Sequence, residues 1–209
     1  MPLPNPSLPS PSLPFARRRP VRPPRFLDFT CPFCKKFFET IHQNADAYGR
    51  LRTAFRLHQI VQPWHFQNSI LHEAACAVRA VHPETDSDVQ VSAWAVLFAN
   101  QVDFTDVNVE NETRAEIHAR LSVLLERYVP RDMYLSLVEF VKKKIAEGSK
   151  NPGCAVTQQM KDICRYARTV GVHVSPTVYL DGEEQKEVSS GWTVQRWESF
   201  VGARGGSAA

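Results

Sequence analysis

The sequence lacks any apolar run near the roughly 20 residues that span a bilayer. Its 209 residues hold only five cysteines, too few at this length for a disulfide scaffold. The first 25 positions contain no acid and no continuous apolar stretch, so nothing there reads as a secretory signal. No internal repeat, no second C-x-x-C and no H-E-x-x-H is present. A membrane span, a disulfide-framed miniprotein, a repeat array and a zinc protease are therefore not expected.

The net charge of +3 is local in origin. Arg17, Arg18, Arg19, Arg22 and Arg25 all fall in the first 25 positions, and removing these five from the 25 bases leaves 20 against 22 acids. A mildly acidic body does not suit a nucleic-acid partner. The same 25 positions hold nine of the 15 prolines. Such a segment cannot bury a core, so residues 1–25 are expected to form a disordered or polyproline tail. Being rich in Arg and Ser and free of acids, the tail weakly resembles an organelle transit peptide. Its proline density opposes the amphipathic helix such peptides form. A soluble protein of the cytoplasm or an organelle is expected, with no choice between them.

Downstream, Phe26–Thr30 reads as a short strand ending at Cys31. Cys34, Phe37, Phe38, Ile41 and Ala45 recur at helical spacing, closed by Gly49. Leu51–Val61 alternates as a strand. Apolar residues then mark helices around Phe66–Val78, Trp94–Val102, Ile117–Tyr128, Met133–Ile145 and Val156–Val170. Thr177–Leu180 reads as a strand, Asp181-Gly182 as a hairpin turn, Glu187–Ser189 as the return strand and Thr193–Val201 as a last helix. The order predicts a compact α/β unit interrupted by a helical insertion.

The chemistry sits in Thr30-Cys31-Pro32-Phe33-Cys34. A strand that delivers a cysteine to a helix start places the sulfur at the positive end of a macrodipole, which favours thiolate over thiol. Pro32 suits the first helical turn because its missing N–H needs no partner there. Cys34 lies about one turn further along the same face. Cys31 is thus the expected nucleophile and Cys34 the resolving thiol. A zinc half-site shares the C-x-x-C pattern, but no second C-x-x-C or His pair completes it. His72 and Cys76, at i and i+4, have a chelating spacing that is far commoner among helical core residues. No metal and no cofactor is expected.

Phe26 through Phe38, with Cys31-Pro32-Phe33-Cys34 at its centre, resembles the active-site segment of DsbA-like thioredoxin-fold proteins. Val172-His173-Val174-Ser175-Pro176-Thr177 resembles the loop of that family whose cis proline faces the active site. Gln62-Pro63-Trp64-His65 through Val78 resembles a eukaryotic branch of it. The resemblance covers residues 26–201. It implies a thioredoxin-like α/β fold with an inserted helical domain. The expected division is a discontinuous thioredoxin-like domain of residues 26–62 and 155–203, a helical insertion of 63–154 and a flexible tail of 204–209. It further implies that Pro176 lies beside Cys31 and that the Ser175 backbone pairs with an extended substrate. The expected partners are protein thiols and disulfides, or small thiols such as glutathione. The rival expectation is a non-catalytic binding module that recognises its partner through the insertion. A glutathione-conjugating or isomerase relative is less favoured, because such relatives typically carry a serine in place of the first cysteine.

Three features depart from the family pattern. Many thioredoxin-fold enzymes carry a buried acid six residues before the first cysteine, and here that position is Arg25; Asp28 is nearer but is expected to face the surface. Pro23 and Pro24 should keep the first strand short. Phe33 cannot donate to Cys31 as a histidine would, so Cys31 is expected to be less acidic, and the pair more reducing, than in the strongly oxidising DsbA type. Lys35 and Lys36 partly offset this.

Of the remaining residues, Cys76 is expected to fill core space. Cys154 and Cys164 are expected to be too far apart along one helix to pair. Thr113 with Glu116 fits a helix capping box. Trp64, Trp94, Trp192 and Trp197 read as core or interface residues, with Phe29, Phe33 and Trp64 as an alternative apolar rim for extended polypeptide.

Overall fold

The computed structural model describes residues 24–42, 56–82, 87–180 and 183–205. The proposed tail up to residue 23, the end of the first predicted helix and the turn Asp181-Gly182 lie outside these. The sheet is formed by β1 (Pro24–Leu27), β2 (Arg56–Gln59), β3 (Thr177–Leu180) and β4 (Glu183–Glu184). Its order is β2-β1-β3-β4, with β1 parallel to β2 and antiparallel to β3, and β3 antiparallel to β4. The helix α1 (Pro32–His42) follows β1.

Strand β1 is buried on both faces, as its central position requires. Phe26 packs on one side with Ile60, Ala167 and Val172. Leu27 joins Phe37, Ile41, Val178 and Trp197 in the larger core. The strand begins two residues earlier than Phe26–Thr30 and ends at Leu27. Proline is tolerated as its first residue, where a missing N–H removes little from the ladder. Pro24 and Arg25 therefore belong to the sheet and not to the tail.

The helical insertion contains α2 (Asn68–Val81), α3 (Ser87–Ala99), a short 3₁₀ turn (Gln101–Phe104), α4 (Arg114–Leu124), α5 (Arg131–Val138) and α6 (Lys142–Ala146). Helix α7 (Thr157–Thr169) returns to the sheet and α8 (Val194–Gly205) ends the fold. The small buried residues Ala74, Ala75, Cys76 and Ala77 let α2 touch α3, α4, α5 and α7. Thr113 forms the expected capping box with Glu116 at the start of α4. Among the described residues no helix is long and apolar enough to cross a membrane.

Two predicted elements differ. The single helix expected over Met133–Ile145 is broken between Val138 and Val141. There the Val141 N–H donates to the Gly153 carbonyl at 2.9 Å, and the Leu137 carbonyl accepts from the Ala155 N–H at 3.0 Å. Pairing with the 153–155 segment replaces the helical bonds, and Phe140 and Ile145 are left exposed. The return strand is Glu183–Glu184, not Glu187–Ser189. Leu180 opposes Glu183 directly, so pairing begins immediately after two intervening residues. Phe66 and Val102, counted above on helical faces, lie outside α2 and α3 and are exposed.

Candidate functional site

Strand β1 leads into a turn closed by the Cys31 N–H on the Asp28 carbonyl at 3.3 Å, and α1 starts at Pro32. The proline supplies the first helical residue without leaving an unused donor. Cys31 is half-buried at the helix start, and Cys34 is fully buried one turn on. The two lie 3.6 Å apart, and both are free thiols.

The loop before β3 faces this pair. Its Ser175–Pro176 peptide bond is cis. The Cys31 thiol donates to the Ser175 carbonyl at 3.5 Å. Sequence reading had Ser175 and Pro176 beside Cys31, and the geometry brings Ser175 there. Phe33 projects outward from the first turn of α1 and is 62% exposed. Trp64 is 66% exposed, whereas Phe29 is buried against Trp94, Phe98 and His72. Phe29 is therefore core and not rim, since its place in the turn after β1 puts it in the gap between α2 and α3. Trp94 and Trp197 are core, as expected.

The thiols are electrostatically unlike. The Cys34 side chain, the largest influence, lowers the Cys31 pKa; burial opposes it; the Cys34 N–H, Ser175 and the Phe33 N–H add to the lowering. The result is about 6 against an ordinary 9.0. Burial, followed by the adjoining Cys31 charge, pushes Cys34 well above the ordinary range, although the Asp28 N–H points at its sulfur at 3.4 Å. The arrangement thus makes Cys31 the more readily ionised thiol and Cys34 the one that keeps its proton.

A reactivity measurement follows directly. Alkylation of Cys31 by iodoacetamide should rise with pH to a plateau with its midpoint near about 6, and urea should move the midpoint toward about 8.5. Because the folded pKa lies below the unfolded one, the reduced protein gains stability from Cys31 at pH above the ordinary thiol range. It loses that contribution as pH falls through about 6. A folded-state midpoint near the ordinary value would contradict the geometry.

Arg25, at the position where the family pattern has an acid, is completely buried. Its guanidinium lies 4.8 Å from the centre of the Phe37 ring and 4.9 Å from that of Trp197. Burial lowers its pKa. Burial and then the Arg25 charge push nearby His42 down to about 3.

Asp28 corrects the expectation of a surface carboxylate: it is fully buried. Burial raises its pKa, but His72, Thr30 and the Gln62 N–H together outweigh this and bring it to about 2. A carboxylate with this many donors is stable as an anion inside a protein. Lys35 is held near Glu39 at 3.8 Å and donates to the Ala99 carbonyl at 3.5 Å, while Lys36 is exposed. Gln101, from the insertion, donates through one amide nitrogen to the Phe29 carbonyl at 2.7 Å and the Cys31 carbonyl at 3.1 Å.

His72 and Cys76 share a helix and both meet Gln59. His72 Nδ1 meets Gln59 Oε1 at 2.8 Å, and the Gln59 amide points at the Cys76 sulfur at 3.9 Å. Among the described residues no cluster of His, Cys, Asp and Glu is placed to hold a metal ion. Cys154 and Cys164 are both free thiols.

Sequence reading missed Asp28, Gln62, Asn68 and Gln101 as parts of the site. Asp28-Phe29-Thr30 carries one usable signal, since an aspartate two residues before a donor forms an Asx turn. The others carry none.

Comparison of the sequence with models of known families and with curated proteins finds no significant match. Solved structures do match. A candidate protein-disulfide isomerase from Pseudomonas syringae aligns over 86% of this chain and 92% of its own, at 26% identity and a TM-score of 0.62. BdbD from Bacillus subtilis, in its oxidised form, aligns over 90% and 89%, at 19% identity and 0.54. DsbA from Pseudomonas aeruginosa aligns over 94% and 91%, at 14% identity and 0.51. The chain has a DsbA-like thioredoxin fold, an α/β fold with a helical insertion.

Proposed function

We propose that the protein is a thiol–disulfide oxidoreductase in which Cys31 and Cys34 form the redox pair. The observation that carries this reading is a half-exposed sulfur of lowered pKa, 3.6 Å from a buried protonated one, at a helix start facing Ser175. The P. syringae protein, by its description, and the DsbA of P. aeruginosa lend support as relatives in fold.

In the reducing direction the Cys31 thiolate attacks one sulfur of a substrate disulfide. A bond forms between them, the substrate S–S bond breaks, and the other substrate sulfur leaves as a thiolate. Cys34 then loses its proton and attacks the Cys31 sulfur. The Cys31–Cys34 disulfide forms and the second substrate sulfur departs. The substrate gains two electrons and the protein pair loses two. In the oxidising direction the same steps run backwards.

Ser175 supplies backbone hydrogen bonds to an extended substrate beside Pro176, and Phe33 provides apolar contact next to Cys31. The partners are protein thiols and disulfides, with small thiols such as glutathione as alternatives. The residue ranges 26–62 and 155–203, with Pro24 and Arg25 of β1 added, form the redox domain, and 63–154 the insertion that frames it.

The test is reduction of insulin and refolding of scrambled ribonuclease, with Cys31→Ser as control. Turnover that the substitution abolishes supports the reading. Absence of turnover in both proteins, with partner binding retained, would instead support a binding module built on the same fold.

A further inference from the structure

The polar groups around the two thiols converge on one carboxylate that performs no chemistry. Asp28 stands three residues before Cys31, fully buried. Its Oδ1 accepts the Thr30 N–H at 2.8 Å and the Thr30 hydroxyl at 2.6 Å, closing the turn that delivers Cys31. Its Oδ2 accepts the Gln62 N–H at 2.9 Å and the Asn68 side-chain amide at 2.6 Å. His72 Nε2 stands 3.9 Å from the same oxygen. Asn68 also donates to the Gln62 carbonyl at 2.8 Å. Gln62 donates its side-chain amide to the His173 carbonyl at 3.1 Å, two residues before Ser175.

One anion thereby ties together three segments remote in sequence: the cysteine turn, the approach to α2, and the Ser175–Pro176 loop. We propose that Asp28 is a positioning residue for thiol–disulfide exchange, holding Cys31 against the Ser175 loop through Thr30 on one side and Gln62 on the other. The inference rests on the oxidoreductase reading above. Charge-assisted hydrogen bonds of these lengths are the strong kind, and a buried carboxylate with its full set of donors resists rearrangement. The carboxylate stays ionised through the range in which Cys31 titrates, so the tie is present in both states of the thiol.

A positioning role and a purely electrostatic one differ in sign. A nearby negative charge disfavours a thiolate, so neutralising Asp28 by charge alone lowers the Cys31 pKa. Loosening the turn raises it, because the N–H groups of Phe33 and Cys34 no longer meet the sulfur. Asp28→Asn keeps the side-chain size but turns an amide donor toward the Gln62 or Asn68 donors.

The Cys31 thiolate is titrated by its ultraviolet absorbance in the full chain, and insulin turnover is measured beside it. Asp28→Asn is expected to raise the apparent Cys31 pKa by about one unit and to lower kcat/KM roughly tenfold. Gln62→Ala keeps the backbone N–H on Asp28 and removes only the tie to His173. It is expected to raise the pKa in the same direction by less, and to add less in the double variant than it does alone. An unchanged or lowered Cys31 pKa in Asp28→Asn, or strict additivity in the double variant, would overturn the proposal. If Asp28→Asn does not fold by circular dichroism, Gln62→Ala decides, and an unmoved pKa there overturns it. A wild-type protein without turnover whose variants still shift the titration would sink the oxidoreductase reading and leave the positioning of Cys31 standing.

Discussion

Cys34→Ser protein, incubated with a disulfide-bearing polypeptide, is expected to accumulate a covalent complex through Cys31, whereas Cys31→Ser protein is expected to form none. The difference follows from burial. Cys34 is inaccessible to a partner, and its proton is held by desolvation and by the neighbouring thiolate, so it cannot begin the exchange. Cys31 is reachable and has its pKa lowered. With Cys34 removed, the first displacement still proceeds and the second has no nucleophile in reach. Turnover by Cys34→Ser should fall by roughly three orders of magnitude or more, the scale on which loss of one member of a concerted catalytic group is felt. Non-reducing electrophoresis followed by peptide mapping reads the result. A complex mapped to Cys76, Cys154 or Cys164 would contradict the assignment.

The largest stability effect is expected at Trp197. Its ring is fully buried, packs edge-on to Phe37 at 5.1 Å between centroids and meets Trp192 at 4.8 Å and Phe200 at 5.8 Å. It also forms one wall of the chamber that holds the Arg25 guanidinium. Trp197→Ala removes the wall and opens a cavity beside a buried cation. A loss of about 3–5 kcal/mol is expected for the truncation, against a total of about 5–15 kcal/mol for an ordinary domain. Urea unfolding followed by circular dichroism measures it. A loss below about 1 kcal/mol, close to the cost of a surface substitution, would contradict the packing of Trp197 in the core.

The thiol pair was legible in the sequence because its signals are local. A strand ending in cysteine, a proline at the first helical position, and Phe37, Phe38 and Ile41 at helical spacing define β1, the turn and α1 within a short stretch. The Ser175–Pro176 loop was legible only through its resemblance to the cis-proline loop of the family, since the residues alone read as an ordinary proline at a strand start. The state of Asp28 was not, because its partners Gln62 and Asn68 lie 34 and 40 positions away. Nothing in the local pattern distinguishes an aspartate with four buried donors from one facing water. The break between α5 and α6 was hidden for a similar reason. Met133 to Ile145 carries helical periodicity, and the competing hydrogen bonds come from residues 153–155. Arg25 reads as the last charge of a basic tail until Phe37 and Trp197, from two separate helices, are seen to enclose it.

Gln101 gives the insertion a second meaning. One side-chain nitrogen reaches from the helical block to the carbonyls on either side of Thr30. A shortened chain retaining only the sheet and its flanking helices would take the Gln101 donor from the Phe29 carbonyl and leave the Cys31 carbonyl with the Lys35 N–H alone, beside the reactive sulfur. Grafting a foreign helical block onto this sheet would therefore transplant part of the control over nucleophile geometry, and exchange rates in such chimaeras should follow the donor of the block as well as the donor of the cysteines.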